Sequence, residues 1–509
     1  MMRIATSRAG AIMAVRFPGG AIVTLAVDPK SAIPLFRQLY EALRQSIVDG
    51  VLTPGLRLPA TRSLAAELGV SRNTVLSAYE QLLAEGYLEG KMGSGTYVPR
   101  ALPEEMMQVR HTTSQPRGGP PKRRGLSQRG ELLAKTASTI ARSSGFPRPF
   151  RPGIPALDAF PFAIWMRLVA RHSRRPPRTM LSYDDAAGYA PLRKAIAAHL
   201  GAARAVRCEP EQVHITTGSQ QALDLIARLL LDPGDAAWIE DPGYPGARSA
   251  LEGQGIRLTP VPVDNDGLDV AAGAARCPQA RLVYVSPSHQ YPLGVTLSLP
   301  RRFALLDWAR RADAWIVEDD YDSEFRYAGR PLAALQGLDR DDRVVYVGTF
   351  GKTLFPSLRL GYLVVPPELV RSFTAARGTI DRQTATLPQA VVTDFINEGH
   401  FTRHIRRMRT LYRERQETLL RAAKRELDGR LEILPCATGL HVAAWLPPGQ
   451  DDRAASQAAA RVGVEAPALS SYYLTRPSQG GLLLGYAGWE PRQIRDAVRR
   501  LAGALDASR

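Results

Sequence analysis

The apolar positions that follow residue 34 recur every three or four residues, which is the spacing of one helix face. They predict a first helix that ends near Gly50, and its inward positions are Leu35, Leu39, Leu43 and Ile47. Two shorter helices follow. Thr61 is the predicted N-cap of the second helix, which Gly69 ends, and Ser71 is the predicted N-cap of a third, which continues to Gly86.

The third helix and the segment after it complete a small domain. Two short alternating runs, Tyr87–Glu89 and Thr96–Val98, predict strands with a turn at Gly93-Ser94-Gly95. Three helices followed by a hairpin are typical of a winged helix-turn-helix. The inward face of the third helix is predicted to consist of Val75, Tyr79, Leu82 and Leu83.

From about residue 146 the pattern changes, and short apolar runs alternate with amphipathic helices such as Gln221–Leu230 and Pro300–Arg311. This alternation predicts an α/β fold in which ligands gather at the strand ends. The predicted strands are Val213–Thr216, Ala237–Glu240, Leu282–Ser286, Trp315–Glu318 and Val344–Val347.

The composition excludes several classes of protein. A chain of 509 residues is long enough for two or three domains, and 45% hydrophobic residues with 23% charged residues exclude wholesale disorder. Three widely spaced cysteines support neither a disulfide framework nor a cysteine zinc site, so we expect a reducing cytoplasm. The apolar clusters Ala11–Val15 and Ala21–Val27 are interrupted by charged, proline and glycine residues. We therefore expect residues 1–28 to be a loose leader, and no membrane partner.

The formal net charge of +17 is unevenly distributed along the chain. Residues 100–150 hold 10 Lys and Arg against 3 Asp and Glu, whereas residues 151–509 hold 46 against 39. The first of these stretches contains Gly118-Gly119-Pro120-Pro121 followed by Lys122-Arg123-Arg124, a composition that cannot bury a core. We predict a linker over residues 100–148, which is either a solvated tether or a tether that also contacts phosphate.

The start of the third helix carries side chains that suit DNA. Arginine can read guanine and asparagine can read adenine in the major groove, where Ser71, Arg72, Asn73 and Thr74 would lie. Arg62 opens the second helix, and the glycines of the hairpin turn let the backbone approach phosphate or the minor groove.

The segment LRLPATRSLAAELGVSRNTVLSAYEQLLAEGYL resembles the GntR group of bacterial transcription regulators. The resemblance implies that residues 29–99 form a DNA-binding domain for double-stranded operator DNA. Leu76 stands where some members have a further arginine. The positions that usually contact the operator are those of Arg62, Ser71, Arg72, Asn73, Thr74 and Gly93.

Polar residues follow the first predicted strands of the second pattern. Gly218 and Ser219 open a helix whose free N–H groups favour an anion. Tyr244 follows the next strand and can stack on a flat ligand. The strand Trp315–Glu318 runs into three aspartates around Tyr321, with no histidine at suitable spacing for a metal. We therefore predict no metal, and one buried carboxylate beside a cationic heterocycle.

The last predicted strand leads into a loop with Lys352 between Gly351 and Thr353, seven residues before Arg359. An amine that forms a Schiff base beside a phosphate-binding arginine fits this spacing. Together with the anion site, the tyrosines and the carboxylate, these residues are what pyridoxal 5′-phosphate requires.

Five motifs in order resemble the MocR/GabR regulators, which fuse a GntR-type domain to a fold-type I aminotransferase-like domain. They are TTGSQQALDLIARLL, EDPGYPG, SPSHQYPLG, VEDDYDSEFRY and GTFGKTLFPSLRLGYLV. The resemblance implies that residues 149–509 form a pyridoxal-phosphate-binding effector domain. It also implies a smaller α+β subdomain at the C-terminal end.

The resemblance assigns a role to each motif residue. Lys352 would form the aldimine, Asp319 would pair with the pyridinium nitrogen, and Tyr321 would hydrogen-bond the ring oxygen. Tyr244 would stack on the ring, and His289 lies in the loop where aminotransferases place an asparagine near the ring oxygen. The phosphate would be held beside Gly218 by Ser219, Gln220, Thr349 and Arg359.

One departure from the aminotransferases bears on activity. They carry a substrate-carboxylate arginine where this chain has Leu483, so any carboxylate partner must be sought elsewhere, at Arg248 or Arg476. We predict a pyridoxal-phosphate-dependent regulator that senses the cofactor or an amino compound, with little transaminase turnover. The alternative is an aminotransferase with an accessory DNA-binding domain. The resemblance also implies a head-to-tail homodimer.

Overall fold

The computed structural model describes residues 11–17, 22–91, 94–102, 125–140, 146–327 and 332–507. The chain divides into two compact units, Met1–Arg123 and Arg124–Arg509. Each unit has its own buried core. Among the described residues, no helix is both long enough and apolar enough to cross a bilayer.

In the described part of the N-terminal unit, three helices and two antiparallel strand pairs confirm the predicted winged helix-turn-helix. The apolar faces of the three helices pack on one another around Leu39, Leu43, Leu64, Val75 and Leu82. The helices are α1 (Leu35–Val48), α2 (Thr61–Leu68) and α3 (Arg72–Ala84); the hairpins are β1 (Ala11–Arg16) with β2 (Ile22–Val27) and β3 (Glu89–Lys91) with β4 (Gly95–Tyr97).

The helix ends follow local chemistry. Oγ of Ser71 accepts a hydrogen bond of 3.1 Å from the backbone N–H of Thr74, so Ser71 caps α3 as predicted. The N-cap of α2 is Ala60, which has no side-chain hydrogen bond to offer, and the predicted Thr61 is instead the first helical residue. Leu83 is 38% exposed and does not face inward, because its neighbour Leu82 already occupies the core face.

The expectation of a loose leader is wrong for the described residues before position 28. β1 and β2 pair as antiparallel strands, and Val15, Phe17 and Val23 are buried with the helices of the unit. The proline and glycine residues that interrupt the apolar clusters fall between two strands. Turn-forming residues at that position separate strands and do not prevent them from pairing.

A mixed sheet of eight strands is the framework of the C-terminal unit. Its order is β5-β12-β11-β10-β9-β6-β7-β8; the central pairs are parallel, and β12 and β8 pair antiparallel with their neighbours. The five predicted strands are all present within two residues at each end. The strands are β5 (Val213–Thr216), β6 (Ala236–Asp241), β7 (Arg257–Asp264), β8 (Gly267–Leu268), β9 (Leu282–Val285), β10 (Trp315–Asp320), β11 (Val344–Thr349) and β12 (Gly361–Val364).

Helices connect these strands and bury both sheet faces, because every residue of β5, β6 and β9 is buried. A second, three-stranded antiparallel sheet, β13 (Glu432–Ile433), β14 (His441–Trp445) and β15 (Gly481–Gly485), forms the predicted α+β part. The helices are α4 (Gln128–Ile140), α5 (Phe162–Arg174), α6 (Ala190–Arg204), α7 (Ser219–Leu230), α8 (Pro245–Glu252), α9 (Val270–Arg276), α10 (Leu299–Ala312), α11 (Leu335–Leu338), α12 (Phe350–Thr353), α13 (Val370–Ile380), α14 (Thr386–Asn397), α15 (His400–Glu426), α16 (Asp452–Arg461) and α17 (Pro491–Asp506).

Helix α4 lies inside the range predicted as a linker. It packs on α8: Oγ of Ser249 donates to the backbone carbonyl of Thr136 at 3.2 Å, and a Cβ at Gly253 would lie 2.6 Å from Leu133. The predicted linker rests on the composition of the whole range, which combines a helix-forming stretch, Glu131–Lys135, with the Pro/Gly-rich residues before it. Those residues, 103–124, lie outside the described part of the chain.

Candidate functional site

A cavity of about 340 Å³ lies where the carboxyl ends of β5, β6, β10 and β11 meet. Ligands bind at this edge in α/β sheets because several loops converge there. Nine of the ten residues predicted to bind the cofactor line the cavity. They are Gly218, Ser219, Gln220, Tyr244, Asp319, Tyr321, Thr349, Lys352 and Arg359.

One end of the cavity is built for an anion. Helix α7 begins at Ser219 and directs unpaired backbone N–H groups into the loop after β5. Gly218 has φ = 116°, and a Cβ there would lie within 3.4–3.5 Å of the Arg359 guanidinium, so glycine allows the close approach. Arg359 itself is held at φ = 52°, a strained conformation for a residue with a side chain.

Two other predicted phosphate ligands have partners of their own. Oγ1 of Thr349 accepts from the N–H of Gly351 at 3.1 Å, which leaves its hydroxyl proton to donate. Nε2 of Gln220 donates to the carbonyl of Gly246 at 2.9 Å. Gln220 can still offer an anion the second N–H of Nε2 and its backbone N–H, which lies in the first turn of α7.

Lys352 lies on the short helix α12 and also lines the cavity. Its Nζ donates to the carbonyl of Gly153 at 2.9 Å. Gly153 has φ = 75°, a conformation that favours glycine, and a Cβ there would lie 2.5 Å from that nitrogen and displace it. Pro152 and Gly153 line the cavity and were not predicted, because a Pro-Gly pair in a loop signals only a turn.

Asp319 is a buried carboxylate with one free oxygen. Oδ2 accepts from the hydroxyl of Tyr284 at 2.7 Å, whereas Oδ1 is buried without a hydrogen-bond partner. Burial, together with the nearby carboxylates Asp320 and Asp322, raises the pKa of Asp319 to about 7. A cationic N–H at Oδ1 would satisfy the orphan oxygen and favour the ionised form.

The N-terminal unit presents the predicted DNA-reading residues to solvent. Arg62 on α2 is exposed, and so are Arg72 and Asn73 at the start of α3 and the capping residue Ser71; Thr74 is half-buried. Leu76 is 37% exposed on the same helix. Gly93 lies outside the described residues.

The chain matches known families over both units. Residues 35–98 match the family of bacterial regulatory proteins of the gntR type, and residues 163–501 match aminotransferase class I and II. A probable rhizopine catabolism regulatory protein, MocR, of Rhizobium meliloti is 44% identical over 481 residues, which cover 94% of this chain and 96% of the relative. The chain belongs to the MocR-type transcriptional regulators.

Other relatives agree with this assignment. The pyridoxine biosynthesis regulator PdxR of Corynebacterium glutamicum is 31% identical over 95% of this chain and 99% of the relative. A crystal structure of LysN, the α-aminoadipate aminotransferase of Thermus thermophilus, complexed with N-(5′-phosphopyridoxyl)-L-leucine, is 32% identical with a TM-score of 0.67. The match covers 74% of this chain and 97% of that one.

Pyridoxal phosphate fits the cavity of this MocR-type regulator. The orphan Oδ1 of Asp319 suits a pyridinium N–H, and the Gly218 and Arg359 cradle suits a phosphate. The amine of Lys352 suits an aldehyde. The cofactor is therefore pyridoxal phosphate, as the sequence predicted.

His289 does not line the cavity of the MocR-type regulator, contrary to its predicted role. Its Nδ1 lies 3.0 Å from the hydroxyl of Tyr321 and 3.0 Å from Oδ2 of Asp322, behind the tyrosine. Burial lowers the pKa of His289, but the charge of Asp322 and the contact with Cys436 outweigh burial and raise this pKa to about 10. Tyr291, two residues further along the loop, lines the cavity instead.

Two histidines lie close to one of the aspartates in space, although no histidine is suitably spaced from them in the sequence. The fold brings His289 and His441 to Asp322, with ligand atoms within 4.8 Å of one another among the described residues. His441 comes from β14, far along the chain from Asp322, so sequence spacing could not show it. Because Nδ1 of His289 is hydrogen-bonded to Asp322 and Tyr321, we assign the group to a hydrogen-bond network.

Neither predicted carboxylate partner lines the cavity of the MocR-type regulator. Nη2 of Arg248, in α8, donates to the backbone carbonyl of Tyr472 at 2.9 Å. Arg476 is exposed. Leu483, in β15, is buried against Leu469 and Tyr472. Leu483, at the position where aminotransferases carry the arginine, thus lies in an apolar cluster.

Proposed function

We propose that this MocR-type regulator binds a specific operator through its winged helix. We propose also that this binding changes when the cavity at Lys352 is occupied. One observation supports the proposal above the others. A single cavity holds the amine of Lys352, the orphan oxygen of Asp319 and the guanidinium of Arg359, three groups that match the aldehyde, ring nitrogen and phosphate of one cofactor. When bound, pyridoxal phosphate supplies an aldehyde that reacts reversibly with primary amines.

The residues of the cavity then have distinct tasks. Arg359, the hydroxyls of Ser219 and Thr349 and the first turn of α7 bind the phosphate. Asp319 holds the ring nitrogen in its protonated form, with Tyr284 fixing the carboxylate by its hydrogen bond. The ring of Tyr244 lies at the mouth of the site and excludes water from one face. The hydroxyl of Tyr321, which is held by His289, would hydrogen-bond the ring oxygen.

A ligand at this site changes DNA binding only if it binds two arrangements of the protein with different affinity. Replacing the Lys352 amine by an outside amine frees the lysine and gives such a difference. The test is operator binding by the cofactor-free protein, the loaded protein and the loaded protein with an amine. Equal operator affinity in all three states would contradict the proposal, whereas a change on cofactor loading alone would make the cofactor itself the effector.

We expect Arg72→Ala to weaken operator binding by about 10- to 100-fold, because one bidentate contact to a base is worth about 1–3 kcal/mol. Binding to unrelated DNA should fall much less. Fluorescence anisotropy with operator and scrambled duplexes at one salt concentration measures both. Arg421→Ala, which removes an exposed positive charge from α15, is the matched control and should change neither. An equal loss on both duplexes would show that Arg72 contacts only phosphate.

We further propose that the protein acts as a head-to-tail homodimer in the cytoplasm and turns over amino donors slowly. The apolar cluster around Leu483 supports slow turnover, because it offers no cation to an α-carboxylate. A repeated or palindromic operator would match a dimer. Rapid multiple turnover with 2-oxoglutarate and a panel of amino acids would favour the aminotransferase alternative.

A further inference from the structure

Five residues that line the cavity have no assigned contact with the cofactor, and we call them its second end. They are Pro152, Gly153, Tyr291, Leu440 and His441. None of these five lining residues carries a formal cation. The positive groups among the described lining residues are Lys352 and Arg359, which the proposed function assigns to the aldehyde and to the phosphate.

His441 presents a hydrogen-bond acceptor at this end. The side chain is 1% exposed, and its Nε2 is buried without a partner. The backbone carbonyl of Pro292 hydrogen-bonds the imidazole, so we assign the N–H to Nδ1. Burial and the neighbouring charges of His289 and Lys352 hold the pKa of His441 well below its usual range, so the ring is neutral. Nε2 then accepts and does not donate.

The wall beside His441 is aromatic and apolar. The ring of Tyr291 packs edge-on against His441 and Tyr472, with centroids 5.2 and 5.4 Å apart. Behind these rings, Leu483 packs with Leu469. The guanidinium of Arg248 contacts the backbone of Tyr472 and does not reach this cavity wall.

A carboxylate at this end would have no arginine to pair with, only the amine of Lys352, and it would lie beside an acceptor. Burying an unpaired charge costs several kcal/mol, and two acceptors in contact repel each other. A hydroxyl or N–H would instead satisfy Nε2 of His441. We propose that the effector is a primary amine that bears no carboxylate and that carries a hydroxyl or N–H group donating to Nε2 of His441. The inference rests on the proposed function, in which the effector meets the cofactor in this cavity.

The first test compares matched amines with the full-length protein loaded with pyridoxal phosphate. The probes are ethanolamine against L-serine and tyramine against L-tyrosine, pairs that differ only by the carboxylate. We expect the half-saturating concentration of the spectral change to be at least about tenfold lower for the amine without carboxylate. Free cofactor in buffer gives the intrinsic reactivity ratio of each pair. Equal or tighter binding of L-serine and L-tyrosine, after this correction, would overturn the inference.

The second test addresses the acceptor. Wild-type protein should favour ethanolamine over ethylamine, relative to free cofactor, and His441→Phe should abolish that preference while retaining the cofactor band. His441→Gln keeps an acceptor oxygen and should restore part of the preference. An unchanged preference in His441→Phe would overturn the assignment of His441. A wild-type protein with no cofactor band would defeat the proposed function itself, which is a different result from a band with the wrong amine preference.

Discussion

Lys352→Ala is expected to abolish the absorption band near the visible edge that the purified protein shows after loading with pyridoxal phosphate. Nζ of Lys352 is the amine that faces the carbonyl of Gly153 inside the cavity, and an alanine leaves no primary amine at that place. Absorption spectra of the desalted full-length protein, with and without added cofactor, measure the loss.

Lys194→Ala is the matched control for this change. Lys194 lies on α6, is exposed and is separate from the cavity, so its loss should leave the band unchanged. The variant Lys352→Ala should also change the response of operator binding to amines, because an amine then has no lysine to displace. A persistent band in the desalted Lys352→Ala protein would disprove the assignment of this lysine.

The strand-end residues of the site could be predicted because each lies at the end of a strand that the sequence predicts. β5 was placed at Val213–Thr216 without error, since four buried residues are bounded by a turn at Thr217 and Gly218. In a parallel sheet the ends of such strands converge, so the order of motifs along the chain becomes proximity in space. This rule correctly predicts that Lys352 and Asp319 lie at the same site.

Residues with no distinct local pattern could not be predicted. Tyr284 lies inside β9 and reads as one more apolar strand residue, yet its hydroxyl reaches Asp319 on the neighbouring strand. His441 belongs to the small sheet and enters the cavity wall only when the C-terminal part folds back. In the loop after β9 no periodicity shows which side chains point inward. The sequence therefore predicts His289 at the cavity, whereas Tyr291 is the residue that lines it.

Composition also gave a wrong prediction where one range combined two kinds of segment. The basic range 100–148 includes α4, whose contacts with Ser249 and Gly253 attach it to the C-terminal unit. Charge does not separate the two parts of this range, because residues 100–124 hold 6 Lys and Arg against 2 Asp and Glu, and residues 125–148 hold 4 against 1. The expected leader was likewise treated as one segment, although it contains the paired strands β1 and β2.

Asp319→Asn is expected to raise the dissociation constant of the cofactor by at least about 100-fold. The carboxylate is buried, and its free Oδ1 is the group that balances a protonated ring nitrogen. Removing one member of a buried ion pair costs about 3–5 kcal/mol. Equilibrium titration of the cofactor-free protein, followed by the absorption band, measures the change; cofactor binding at wild-type affinity would contradict the role of Asp319.

The same substitution should stabilise the protein when the cofactor is absent, and the gain should depend on pH. Burial raises the pKa of Asp319 to about 7, whereas the unfolded chain has an ordinary pKa of about 4. Between these values the unfolded state loses its proton first, so the carboxyl costs stability as pH rises, and the full cost is reached above pH 7. Asparagine carries no such cost. Thermal unfolding should therefore show a larger gain for Asp319→Asn at pH 8 than at pH 5. Asp428→Asn, at an exposed position, should show no such trend; an Asp319→Asn gain that is independent of pH would mean that the buried carboxyl is already ionised at pH 5.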